Sequence, residues 1–190
     1  KDIRLNLDSN RNQRRFILTL VKMLEKVMQF YNLGYLHGDL QPRHFIVDKF
    51  EDYHLIDLET AVNINDPNDS YRGALVHYVS PEVAKGMLAR KQSISIDSIS
   101  EIYSFGAVVF FLYTAELPVD YGGSMTGSGD NSSFEDKLKA VINGQVKSFD
   151  RVRATPFPEL ERILQKCLAK DREQRYQSFE DLYRELKGIC

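Results

Sequence analysis

The chain has 190 residues, 43% hydrophobic and 27% charged, with a formal net charge of −2, enough to bury one substantial core. That balance excludes the basic footprint of a nucleic-acid or anionic-membrane binder, and no apolar run approaches the ~18 residues of a membrane span. Cys167 and Cys190 fit neither a metal-ligand spacing nor a disulfide framework, so a reducing, cytoplasmic setting without a secretory leader is expected.

Residues 1–10 read as a polar lead-in. From Asn12 onward, Phe16, Leu20, Leu24, Val27, Met28 and Tyr31 recur at helical spacing and predict a long helix buried on one face. Asn32 and Gly34 supply its stop signal. Arg11, Arg14 and Arg15 read as its solvated side. The helix delivers the chain into the segment His37-Gly38-Asp39-Leu40-Gln41-Pro42-Arg43-His44. Two short strands follow, Phe45–Val47 and Tyr53–Ile56, around a turn at 49–52. Residues 62–73 are rich in Asn, Asp, Pro and Ser and predict a loop. Tyr78-Val79-Ser80-Pro81-Glu82 closes it and opens a short helix.

Residues 101–113 are apolar on nearly every face, which places a helix at the centre of a domain. Residues 119–133 are dense in Gly, Ser, Asp and Asn and predict a long loop. Helices are expected over Phe134–Ile142, Pro158–Lys170 and Ser178–Lys187, the last opened by Ser178 with Asp181 three residues on. Cys167 falls in the apolar stripe of its helix and reads as a small buried hydrophobe. The expected fold class is α+β, mostly α: a helical bundle with short β-hairpins beside the acidic loops.

Asp39 and Asp57 each sit beside a short β-prone segment. Two such carboxylates can hold a divalent cation and a reacting hydroxyl side by side. The spacing of His37-Gly38-Asp39-Leu40-Gln41-Pro42-Arg43-His44 and Asp57-Leu58-Glu59 resembles the catalytic and metal-binding loops of the protein kinase family. Ser80-Pro81-Glu82, the apolar helix and Asp171-Arg172-Glu173-Gln174-Arg175 extend the resemblance over nearly the whole chain.

The resemblance implies roles for individual residues. Asp39 would accept the hydroxyl proton, and Asp57 would be the main Mg²⁺ ligand. Gln41 stands where Ser/Thr kinases carry a Lys that contacts the γ-phosphate. His44 stands where an Asn helps hold a second Mg²⁺; its alternative reading is a packing residue hydrogen-bonded near Asp39. Gly38 replaces an Arg that reads an activation-segment phosphate, and Glu59 replaces a Gly. Glu101 takes the place of an Asp that caps the catalytic loop, with Asp97 as a substitute cap. Arg175 should pair with Glu82 in a buried ion pair. Thr60, Ser70 and Tyr71 are candidate phosphorylation sites.

The sequence carries no glycine-rich phosphate loop ahead of His37 and no Val-Ala-x-Lys strand. The resemblance therefore implies a single unit, 1–190, equivalent to the large C-terminal lobe without its small lobe. Three readings follow. The first is a pseudokinase-type binding or regulatory module. The second is the catalytic lobe of an active Ser/Thr kinase whose small lobe lies elsewhere. The third, through His-Gly-Asp, is a small-molecule kinase. Mg²⁺ and ATP are expected to bind weakly to this chain alone. A protein partner, the missing lobe or a second copy is expected to cover an apolar face.

Overall fold

The computed structural model describes residues 9–121 and 132–190. Its longest element, α1 (Asn10–Asn32), begins where the Ser9 side chain accepts a hydrogen bond from the Asn12 amide, the usual device for an orphan helix N–H. One face of α1 buries Phe16, Ile17, Leu20, Val21, Met23, Leu24 and Val27, the stripe that the sequence periodicity predicts. Arg11, Arg14 and Arg15 are exposed. They line an open groove of about 1010 Å³ at the start of α1, together with Phe157, Glu159 and Cys190. None of the residues lining this open groove belongs to the two acidic loops.

After α1 the backbone turns at Gly34, φ +90°, into β1 (Tyr35–Leu36). The pair β2 (Phe45–Val47) and β3 (Tyr53–Leu55) is an antiparallel hairpin, with Phe45 opposite Leu55 and Val47 opposite Tyr53. β1 finds its partner in β4 (Val62–Asn63), again antiparallel. The predicted loop 62–73 therefore begins with a strand pair, too short and too far from its mate in sequence to leave a periodic signal.

The bundle is completed by α2 (Pro81–Leu88), α3 (Ser98–Thr114), α4 (Phe134–Asn143), α5 (Pro158–Cys167) and α6 (Phe179–Gly188). α3 starts three residues before the apolar stretch because Asp97 caps it, accepting from the Ser100 amide. α5 stops at Cys167 rather than Lys170. Both α4 and α6 open on a serine that caps the aspartate amide three residues later.

α3 lies at the centre, with Ile102, Ala107, Val108 and Phe110 essentially without solvent contact. Gly106 lets α5 approach it: a Cβ built there would lie 2.6 Å from the Cys167 Cβ. Cys167 is buried, and burial pushes its thiol up to about 12, the behaviour of a packing residue. One core joins α1, α3, α5 and α6. A second, built on Val76, Val79, Val83, Leu138 and Val141, fastens α2 and α4 to the loop ahead of Ser80. Most of the predicted loop 119–133 falls outside the described residues; its first residues, Val119 and Tyr121, are buried. The architecture is α+β and mostly α, with one short hairpin, β2–β3, and one long-range strand pair, β1–β4, beside the acidic loops.

Candidate active site

The segment between β1 and β2 is held on three sides. Gly38 adopts φ +80°, and a Cβ there would stand 2.7 Å from the Thr60 carbonyl oxygen. Both facts demand glycine, so no side chain with an Arg-like reach fits this backbone. The Gly38 amide donates to Glu101 Oε1 at 2.9 Å. Glu101 thus caps the loop from the first turn of α3, the extra methylene being accommodated. Asp97 is not a substitute cap for the loop: it caps α3 and pairs with Arg172. Burial, opposed by the loop amides of Gly38 and His37, raises the Glu101 carboxyl to about 7.

His37 is buried and locked in one tautomer. Its Nδ1 accepts the Asp39 amide at 3.2 Å, so Nε2 carries the proton and donates to the Ile56 carbonyl at 2.9 Å. Burial lowers the pKa of this ring, keeping it neutral. It stacks on His44 with ring centres 5.5 Å apart.

Asp39 projects from this frame with both carboxylate oxygens engaged. Gln41 Nε2 donates to Oδ2 at 2.6 Å, and the Leu75 amide donates to Oδ1 at 3.1 Å. The second contact comes from the segment ahead of Ser80, across the mouth of the site. Nothing in the Leu75 side chain announced it, because the donor is backbone.

His44 joins the two acids. Its Nδ1 lies 2.8 Å from the Asp39 carbonyl, which can only accept, so a proton sits there. Its Nε2 lies 3.0 Å from Asp57 Oδ2 and 3.2 Å from Arg43 Nε. The imidazole is 2% exposed and the Asp57 side chain 46%. Asp57 takes the left-handed region, φ +64°, which Asp tolerates better than most residues. The turn after it leaves Glu59 exposed.

Asp39, Gln41, His44 and Asp57, all singled out from sequence, therefore form one cluster. Mg²⁺ takes near-octahedral oxygen ligands; here His44 Nε2 stands beside Asp57 Oδ2, and Gln41 and the Leu75 amide each donate one hydrogen bond to Asp39. Among the described residues, no group of three or more His, Cys, Asp or Glu side chains is arranged to hold a metal.

Ser80-Pro81-Glu82 is anchored from the far side of α3. Arg175, fully buried, makes a two-pronged ion pair with Glu82, NH1 to Oε1 and NH2 to Oε2, both at 2.8 Å. Its Nε donates to the Ala169 carbonyl at 2.8 Å, and its guanidinium lies over the Tyr103 ring. Burial works to raise the Glu82 pKa, but the Arg175 bonds outweigh it and hold the carboxyl near about 2. Of the candidate phosphorylation sites, Thr60 spends its hydroxyl on the His37 carbonyl, and the Tyr71 hydroxyl is buried.

A kinase-type catalytic loop, a carboxylate on the following turn and a Glu–Arg anchor on a central apolar helix define the class. Residues 6–185 match the protein kinase domain, and the chain belongs to the protein kinase family. It is 28% identical over 155 residues to serine/threonine-protein kinase PrkC of Bacillus subtilis, covering 80% of this chain and 21% of that protein. It is 25% identical over 168 residues to the probable serine/threonine-protein kinase PknB of Lactococcus lactis, covering 86% of this chain and 24% of the relative. The chain thus spans about a quarter or less of the length of these relatives. The structure of the Cydia pomonella granulovirus kinase PK-1 superposes with a TM-score of 0.70 at 14% identity, covering all of this chain and 62% of that one.

Proposed function

We propose that this chain is the large lobe of a protein kinase-like domain that works mainly as a binding or regulatory module, with little phosphoryl transfer of its own. One observation carries the reading: His44 Nε2 stands 3.0 Å from Asp57 Oδ2, so a nitrogen faces the carboxylate that would hold Mg²⁺. Phosphoryl transfer rests on positioning and on neutralising charge around the moving phosphate. In this site Gln41 brings a hydrogen bond without a charge, and Asp39 is tied to the Leu75 amide.

The partner of this module is read from its apolar rim. Leu33, Ile46, Val47, Phe50, Ile56 and Ile64 are large apolar side chains exposed on and beside β1–β4, the kind of surface a partner can cover. The occupant we favour is a small lobe, in cis or from another chain. The likeness to PK-1 covers this whole chain but only 62% of that structure, so that kinase has a further part with no counterpart here.

A second reading, an active Ser/Thr kinase, is favoured by the retained Asp39 and by an Asp57 that keeps 46% of its side chain open to solvent. Relatives named as serine/threonine-protein kinases add to it. Phosphate transfer by the full-length protein to a generic protein substrate separates the two. We expect no transfer above the Asp39→Asn control. Transfer that Asp39→Asn abolishes overturns the module reading.

A further inference from the structure

Beneath the catalytic loop, Gly38, Tyr71, Val79, Ser80, Val83, Ile96, Ser100, Glu101 and Ser104 enclose a cavity of about 20 Å³. Three of its walls present polar atoms that are buried without a hydrogen-bond partner among the described residues: Glu101 Oε2, Tyr71 Oη and Ser80 Oγ. Leaving one such atom unsatisfied costs about 1–3 kcal/mol. Three converging on one space is not a tolerable packing defect. A site for one water needs about 10–15 Å³ of this kind of volume and two to four polar partners. The cavity meets both conditions.

We infer that a single internal water occupies this cavity and bridges Glu101 Oε2 to the hydroxyls of Tyr71 and Ser80. The consequence is mechanical. Glu101 already holds the Gly38 amide through its other oxygen. Tyr71 belongs to the segment whose Leu75 amide contacts Asp39, and its own amide is tied to the Ile94 carbonyl. The water therefore joins the segment 71–80 to the catalytic loop through one carboxylate, and it makes Tyr71 a positioning residue for Asp39. The inference is independent of whether the domain transfers phosphate.

Two measurements test it. A high-resolution crystal structure should show one isolated density peak with contacts of about 2.7–3.2 Å to at least two of the three oxygens. An empty cavity overturns the inference. So does a peak at about 2.4 Å from several oxygens, which identifies a cation instead. Amide hydrogen exchange should then be followed in Tyr71→Phe, with Ser80→Ala as a second variant should the first fold poorly. Exchange at Gly38 and Leu75 should quicken about tenfold, the loss of one hydrogen bond to the water, while amides of α1 and α6 stay unchanged. Unchanged exchange at Gly38 and Leu75, or equal acceleration everywhere, overturns the positioning role.

Discussion

Replacing Arg175 with Ala is the severest single change the structure offers outside the apolar core. The guanidinium is fully buried and serves Glu82 with two bonds of 2.8 Å, while also bonding the carbonyls of Ala169, Ile99 and Lys170. Truncation leaves a mostly buried carboxylate and several carbonyls without a donor. Breaking a buried pair in this way costs about 3–5 kcal/mol. For a domain of this size, 1 kcal/mol moves Tm by about 2–4 °C, so Tm should fall by roughly 6–20 °C. The pair also has a pH signature. The Glu82 carboxyl is held near about 2, below its unfolded value of 4.5. Its contribution is therefore present above pH 4.5 and is lost as pH falls towards 2. Urea denaturation of wild type, Arg175→Ala and Glu82→Gln should give a gap that is full at pH 7 and shrinks towards pH 3. A loss below about 1 kcal/mol at pH 7, or a gap independent of pH, refutes the assignment of this pair as the anchor of the segment ending at Glu82.

Further predictions test other parts of the same frame. The Glu101 carboxyl is raised to about 7 by burial, so its contribution is fully present below pH 4.5 and lost as pH rises through 7. Glu101→Gln should therefore gain stability relative to wild type by about 3 kcal/mol between pH 5 and pH 8, read from paired urea curves; parallel pH profiles contradict this. Gly106→Ala should destabilise by about 1–3 kcal/mol through overpacking against Cys167, despite the better helix propensity of Ala. A gain in Tm would show that α3 and α5 do not meet as described. His44→Asn replaces the nitrogen facing Asp57 with an oxygen-bearing side chain, and should raise Mg²⁺-dependent nucleotide affinity about tenfold or more in equilibrium titration. No change would show that His44 does not limit Mg²⁺ at Asp57.

The sequence exposed the parts of this protein whose signal is local and periodic. α1 and α3 were legible because apolar residues recur along one face or around every face, and β2–β3 because two β-prone runs flank a short turn. Asp39 and Asp57 were legible as carboxylates on adjacent turns, and Gln41 and His44 through the resemblance of their segment to the protein kinase family. What was not legible depends on distant backbone. β1 and β4 are two residues each and pair across the 25 intervening positions of chain between Leu36 and Val62. The Leu75 contact uses an amide that any residue would supply. The division of labour between Asp97 and Glu101 turns on one methylene and on where α3 starts. Ser133 with Asp136 carries the same capping signature as Ser178 with Asp181, and it went unread beside a stretch dense in Gly and Ser.

The central claim is that the site around Asp57 does not make a working Mg²⁺–nucleotide seat. Thermal denaturation of the full-length protein with ATP, with and without Mg²⁺, tests it most directly. A ligand at a hundred times its Kd stabilises by about 2.7 kcal/mol, a shift of several degrees. The account predicts a Tm with Mg²⁺ and ATP within about 1 °C of the value in chelator. A rise of several degrees that requires Mg²⁺ and disappears in Asp57→Ala contradicts it.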